Sequence, residues 1–349
     1  MEIRACTTGD VGDAVKLLHL TSASDARIRW RRLLTAGGVH AVVAADGGRV
    51  VGAALLGSVA DYRGQRAIGL GVAPDARGRG IGTALAAELV RADRSAGPGA
   101  GPVAMTMRDD LPRGLRFAER LDLRVYNHCT GWTITLDDPA ALRPAAHAAA
   151  TRSNVRLETT TLGESRARFV AAAGDSLAGM PTDTPIDLER FAADMPDHVV
   201  VLFATDADGT AGVCLIRPDG DTGGWHTSYT GVATRARRRG VARALKLGSF
   251  VAAAERGGIA MHGENDDRNA PMLALSAAVG MRRGLGYWSL VTDRLAQVVP
   301  VTAGAHLTAE PGAGGQPAPG RRQVDAEEEG VRQRVHGQRD HDEYRGPDR

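Results

Sequence analysis

The sequence predicts an α+β fold built twice in tandem, each copy a mixed, mostly antiparallel twisted sheet flanked by helices. Three observations carry this. The segment GVAPDARGRGIGTAL (71–85) recurs as GVATRARRRGVARAL (231–245), so that Val72 meets Val232 and Arg77 meets Arg237 at one offset of 160 residues. In both copies two apolar runs joined by an Asp/Gly turn come just before the strand that leads into this segment, which makes an antiparallel meander. In both copies a glycine-bearing loop then opens a long helix.

The elements follow in order. A short strand spans Ile3 to Cys6, followed by helices from about Asp10 to Leu20 and Asp25 to Thr35. Strands Val39 to Ala45 and Val50 to Gly57 flank the turn Asp46-Gly47-Gly48, and a third runs from Arg66 to Val72. The long helix covers Gly80 to Arg94, with Ile81, Leu85 and Leu89 on one face, and Gly97-Pro98 stops it. A strand (Val103 to Met107), a short helix (Arg113 to Leu121) and a closing strand pair ending at Leu136 complete the first copy, 1–137.

The second copy, 155–298, repeats the order. Strands lie at Val155 to Thr159, Val199 to Thr205, Ala211 to Arg217 and Trp225 to Val232. The helix Gly240 to Arg256, the strand Ile259 to His262, the helix Pro271 to Val279 and the strand Gly286 to Thr292 follow. Between the copies, 138–154 is rich in alanine, proline and arginine and reads as a linker. The tail, 299–349, loses the apolar pattern and reads as disordered, because it has too little apolar surface to offset the entropy of ordering.

The bulk numbers agree with two domains. The chain has 349 residues, too many for one core, and is 43% hydrophobic and 24% charged. A net charge of only +2 argues against a nucleic-acid binder, and no run of about 18 apolar residues suggests a membrane span. No apolar leader is visible at the N-terminus. Cys6, Cys129 and Cys214 are far apart, with no metal-ligand spacing, and read as reduced thiols of a cytoplasmic protein with no metal. Trp30, Trp132, Trp225 and Trp288 read as packing, and Arg29 to Arg32 as the solvated face of a helix.

The chemistry lies in the repeated loop. In Arg77-Gly78-Arg79-Gly80-Ile81-Gly82-Thr83 a strand enters and a helix leaves. The first-turn N–H groups have no intrahelical acceptor, the helix dipole adds partial positive charge, and glycine lets an anion approach the backbone. Such a loop cradles phosphate, with Arg77 and Arg79 adding charge. Arg237-Arg238-Arg239-Gly240-Val241-Ala242 offers the same frame, with Ala242 in place of the last glycine. Glycine-rich helix caps without a ligand are the bland alternative. A dinucleotide fold would need parallel βαβ context, and a Walker A loop would need Gly-Lys-Ser/Thr.

Arg77-x-x-Gly80-x-Gly82 and Arg237-x-x-Gly240-x-Ala242 resemble the pyrophosphate motif of the GNAT (GCN5-related N-acetyltransferase) superfamily, Gln/Arg-x-x-Gly-x-Gly/Ala. The segment Asn265 to Met272, with Val279-Gly280-Met281 after it, resembles a segment of tandem, two-domain GNAT proteins. The resemblance implies an acetyl-CoA-dependent N-acetyltransferase that moves the acetyl group to a primary amine of a small-molecule acceptor by direct attack in a ternary complex. A non-catalytic acyl-CoA-binding sensor or scaffold is the alternative. It implies that Asn265 and Asn269 flank the pantetheine arm, the alternative being that both cap the following helix. It implies a backbone N–H donor to the thioester carbonyl at Val232, or at Val72 in the first copy. The acid tyrosine of many relatives is absent, its places being held by Ala118 and Ser276. Candidate acid–base residues are therefore His226, Glu264 and His262, with Tyr229 as an acid; exposed strand positions are the bland alternative. The asparagine pair, missing from the first copy, points to the second as the working copy. The expected partner is a small-molecule amine, with no nucleic acid and no membrane, and the chain is expected as a monomer or homodimer.

Overall fold

The computed structural model describes residues 1–22, 26–58, 65–97, 100–177, 186–219 and 223–296. The tail expected to be disordered lies outside the described residues. The first repeat runs β1 (Glu2–Ala5), α1 (Val11–His19), α2 (Ala26–Ala36), β2 (His40–Asp46), β3 (Arg49–Ser58), β4 (Arg66–Val72), α3 (Ile81–Ser95), β5 (Val103–Arg108), α4 (Pro112–Glu119) and β6 (Arg124–Thr135). After α5 (Pro139–Arg152) the second repeat runs β7 (Arg156–Thr161), α6 (Leu162–Leu177), α7 (Leu188–Ala193), β8 (Val200–Asp206), β9 (Gly209–Pro218), β10 (Gly224–Val232), α8 (Val241–Ala254), β11 (Ala260–Asp266), α9 (Ala270–Ala278) and β12 (Arg282–Thr292).

The helices expected from the 3.6-residue apolar spacing and the strands expected from the hairpin turns all form, within a few residues of their anticipated ends. Three features differ. The segment expected as a linker is the helix α5. Its Asp138 side chain accepts from the Ala140 N–H, and Pro139 occupies the first turn, where no N–H is needed. Alanine favours helix enough to carry the rest. The long helix α6 and the short α7 precede β8 and were not anticipated. The closing strand pair of the first repeat is one long strand, β6.

The largest departure is in the sheet. The twelve strands of the described residues form one sheet of order β1-β2-β3-β4-β5-β12-β6-β11-β10-β9-β8-β7. The last strand of each repeat leaves its own half: β6 pairs with β11, β12 pairs with β5, and the two pair with each other, all antiparallel. The cores follow the exchange. Leu290 of β12 is buried with Leu85, Leu89 and Leu123, while Trp132 of β6 is buried with Met261 and Leu245. The expected boundary after residue 137 is thus a boundary in sequence that the sheet crosses. An approximate two-fold relation shows at its centre: the Asp109 N–H donates to the Gly286 carbonyl at 3.0 Å, and 158 residues later the Asp267 N–H donates to that of His128 at 3.0 Å.

Within each repeat one pair of strands is parallel, and it parts early. β4 and β5 are paired only at Arg66↔Val103 and Ala67↔Ala104, and β10 and β11 only from Gly224↔Ala260 to His226↔His262. Beyond those pairs the strands diverge and leave backbone polar groups unspent, which is where a ligand can enter a sheet.

Candidate active site

Glycine makes the approach to this opening possible. Gly80 and Gly240, each preceding the long helix, have φ of +80° and +88°, and Gly78 has +78°. In the second repeat Arg238 takes the left-handed place of Gly78, with φ +64°. No side chain caps α3 or α8, so their first N–H groups face outward from both loops. A cavity of about 630 Å³ opens in the first repeat, and Val72, Arg77, Gly78, Gly80, Gly82 and Thr83 all border it, opposite Met107 and Phe117. That volume suits a small-molecule or cofactor arm. A β-carbon on Gly82 would find its nearest neighbours at 3.8 Å, so the cavity also tolerates the alanine found at Ala242.

The strand-end valines face the openings. Ala73 N–H donates to Val51 O at 2.9 Å, and Ala233 N–H to Ala211 O at 3.0 Å. In an antiparallel ladder these alternate, so the intervening pairs Val72↔Gly52 and Val232↔Gly212 do not exchange hydrogen bonds. The N–H groups of Val72 and Val232 therefore turn away from β3 and β9, into the parted strands. Thr21 spans the first opening: its Oγ1 donates to Leu70 O at 2.9 Å, while its own carbonyl accepts from the Arg108 N–H at 3.0 Å.

The loop arginines are partly engaged. Arg77 Nε donates to Val72 O at 3.1 Å and Arg237 Nε to Val232 O at 3.4 Å, the same contact in both repeats. Arg79 pairs with Asp46 at 2.7 Å, and Arg239 with Asp206 at 3.0 Å. These two arginines were expected on phosphate; here they brace the loop against the hairpin turn. Arg238 is exposed at the loop.

The second repeat gathers acid–base groups. His226 Nε2 lies 2.7 Å from Glu264 Oε2, and its Nδ1 3.3 Å from Ser228 Oγ. Arg217 Nε donates to the same Ser228 Oγ at 3.1 Å. Arginine only donates, so Ser228 Oγ accepts from Arg217, and across the 2.7 Å contact the Glu264 carboxylate accepts from His226 Nε2–H. His226 is nearly buried and Glu264 is partly exposed, so of the two Glu264 is the group a substrate can meet. His262 is on the last β10–β11 pair.

Tyr229 is not at the opening in the sense expected. Its hydroxyl is 2.6 Å from Ser176 Oγ and donates to Ala173 O at 3.1 Å, and its ring packs edge-on against Phe169. Burial pushes its phenol pKa up. It anchors α6 to β10, and its proton is already committed. Asn269 caps α9, its Oδ1 accepting from the Met272 N–H at 3.4 Å, as one of its two expected roles requires. Asn265 instead turns to Ser276, whose hydroxyl donates to Asn265 Oδ1 at 2.8 Å.

Sequence reading missed the lysine beside them. Lys246 on α8 is 2% exposed and donates to Ser276 Oγ at 3.1 Å. A lysine between apolar helix neighbours was the available signal. Trp30, Trp132 and Trp225 are buried as packing residues, and no group of His, Cys, Asp or Glu that could hold a metal occurs among the described residues. No described helix is long and apolar enough to cross a membrane.

The described residues thus form two α+β repeats that exchange their last strands, each with parted parallel strands ahead of a glycine-capped helix. Residues 15–122 match the acetyltransferase (GNAT) family, and the described residues have the fold of tandem GNAT proteins. It is similar to a tandem GNAT protein from the clavulanic acid biosynthesis pathway, solved without acetyl-CoA, at 20% identity and a TM-score of 0.62 over 83% of this chain and 98% of that one. It is also similar to a GCN5-related N-acetyltransferase from Sphaerobacter thermophilus, at 21% identity and a TM-score of 0.59 over 84% and 96%. A putative acetyltransferase from Pyrococcus horikoshii matches at 16% identity and a TM-score of 0.53, over 83% and 88%. No curated protein matches the chain.

Proposed function

We propose that the protein is an acetyl-CoA-dependent N-acetyltransferase acting on a primary amine of a small molecule, with the reaction run in the second repeat. The observation that carries this is the coincidence, at one parting of β10 and β11, of an inward-turned Val232 N–H and the Glu264–His226 pair. Acetyl-CoA supplies the acyl group as a thioester. The uncapped start of α8, with Arg238 beside it, suits the pyrophosphate. Glu264, held in place by His226, accepts the proton of the incoming ammonium. The freed amine forms the C–N bond, the C–S bond breaks as the thiolate leaves, and the second proton released by the acylated nitrogen passes through solvent to the thiolate. The Val232 N–H stabilises the oxygen that becomes negative between those events.

The first repeat is read as a second acetyl-CoA-binding cleft without an acid–base pair of its own. Its cavity favours binding there, and Asp110, the carboxylate at its edge, is already taken by Arg108 at 2.6 Å. A cytoplasmic monomer or homodimer is the expected setting.

The test is a pair of variants assayed with acetyl-CoA and a panel of amines. Gly240→Glu places a carboxylate in the phosphate cradle of the second repeat and abolishes turnover. Gly80→Glu does so in the first and leaves turnover largely intact. The opposite pattern would move the chemistry to the first repeat, and a wild-type protein that binds acetyl-CoA but acetylates nothing would leave the sensor.

A further inference from the structure

The two repeats differ in chemistry around and beneath their openings. Six buried or half-buried positions that are apolar in the first repeat (Ala54, Leu70, Ala86, Leu89, Met107 and Ala118, of which Leu70, Met107 and Ala118 line its cavity) correspond to Cys214, Thr230, Lys246, Ser249, Asn265 and Ser276 in the second. The second set is hydrogen-bonded internally: Cys214 Sγ lies 3.4 Å from Thr230 Oγ1, Ser249 Oγ donates to Lys246 O at 2.7 Å, and Lys246, Ser276 and Asn265 are in series.

That series has one direction. The Lys246 amine has protons to give and lies against Ser276 Oγ. The serine hydroxyl, accepting there, spends its own proton on Asn265 Oδ1. The amide oxygen is thereby fixed towards α9, and Nδ2 is the end left over. Nδ2 has no hydrogen-bond partner among the described residues and is not among their buried unsatisfied atoms, so solvent or a ligand can reach it. Asn265 and Glu264 are consecutive on β11, so their side chains leave opposite faces of the strand at the same opening.

We propose that Lys246 is a positioning residue which, through Ser276, locks the Asn265 carboxamide so that its NH2 group is presented as a donor to a carbonyl oxygen of the acyl carrier's amide-bearing arm. The proposal rests on the reading that the second repeat takes acetyl-CoA. The lock costs stability, because a buried amine with one hydrogen-bond partner is expensive. An apolar residue at 246 would pack as well, so what the lysine adds is a fixed direction. Without it Ser276 can turn its hydroxyl elsewhere, and the amide is free to rotate by half a turn, offering oxygen to oxygen.

The experiment is a double-mutant cycle on the full chain. Dissociation constants for acetyl-CoA, and KM and kcat, are measured for wild type, Lys246→Met, Ser276→Ala, Asn265→Ala and Lys246→Met/Asn265→Ala, with thermal melts as a control for folding. The background is Gly80→Glu, so that one site is read. Losing one hydrogen bond to the ligand weakens binding by about 5- to 10-fold. That loss is expected in all three single variants, as a rise in KM with kcat unchanged. The double variant is expected to bind no worse than Asn265→Ala. Losses that multiply in the double variant would overturn the proposal, since Lys246 would then act on the fold and not through the amide. So would an Asn265→Ala protein that binds as tightly as wild type. Absence of acetyl-CoA binding by the Gly80→Glu parent would remove the underlying reading of the second repeat, and is recognised before any variant is compared.

Discussion

Nε2 of His226 lies 2.7 Å from Oε2 of Glu264, across the point where β10 and β11 part. The contact joins neighbouring strands where the backbone ladder ends. If Glu264 is the base, Glu264→Gln keeps the hydrogen bond and removes the proton acceptor. We expect kcat to fall about 10²- to 10⁴-fold with little change in KM for acetyl-CoA. Steady-state kinetics on any amine substrate decides it; a wild-type kcat would dismiss Glu264.

Gly71 is held by close packing. A β-carbon there would lie 2.0 Å from the Leu17 carbonyl oxygen, which is backbone and cannot yield. Gly71→Val should cost about 3 kcal/mol, read as a lowered urea midpoint. Gly82→Ala, whose nearest neighbours stand at 3.8 Å, should change stability by less than about 0.5 kcal/mol.

Asp93 on α3 is 1% exposed, pairs with Arg66 at 2.6 Å, and accepts the Leu295 N–H at 2.9 Å. It therefore clips the start of β4 and the chain beyond the exchanged β12 to one helix. Asp93→Ala leaves a buried guanidinium without its counter-charge and should cost about 3–5 kcal/mol. A Tm unchanged by the substitution would show that the clip contributes nothing.

Asp10 accepts from Arg4 at 2.6 and 2.9 Å and from Thr7 at 2.6 and 2.8 Å. The Arg4 guanidinium is the main cause that holds its carboxyl well below the usual carboxylate range. A folded-state pKa below the unfolded one adds stability that is present above about pH 4 and lost as pH falls through the folded value. Asp10→Asn should flatten that acid limb, measured as urea midpoints between pH 2 and 6. An unchanged slope would place the acid sensitivity elsewhere.

Cys129 is pushed up to about 12, first by burial and then by Asp266, Glu264 and Asp267. The thiolate is the reactive form. Alkylation of Cys129 by iodoacetamide at pH 8 should therefore be far slower than for a model thiol, and mass spectrometry of the tryptic peptide reads it directly. Rapid labelling at that pH would contradict the environment described.

The repeat, the hairpins and the two helices that follow the glycine loops are legible because each rests on local chemistry. The Asp-Gly turn at 46–48 and the apolar spacing of Ile81, Leu85 and Leu89 act within a few residues. The loop residues could be named for the same reason: Val72, Gly80 and Gly82 border the cavity because a strand, a left-handed glycine and a helix start follow one another in sequence. What failed was non-local. Nothing in Arg124–Thr135 announces that its partners are β11 and β12, because an alternating strand fits either half. Tyr229 was placed at the reaction centre by its position on β10, and only the packing of α6, itself unforeseen, shows where its hydroxyl is used. The partners of Arg79 and Arg239, Asp46 and Asp206, are 33 residues earlier and in reach only after folding.

The exchange of β6 and β12 has a consequence for how such a chain comes apart and how it could have arisen. Two identical copies of the first repeat, each lending its last strand to the other, would make a closed, self-complementary pair; this polypeptide has the strand order of such a pair within one chain. Severing the chain near α5 should leave fragments that hold together through the shared strands. Either fragment made alone would display the bare edges of β5 or β11 and would seek its missing half. Bacteria expressing both fragments from separate plasmids would then recover a protein that neither plasmid yields by itself.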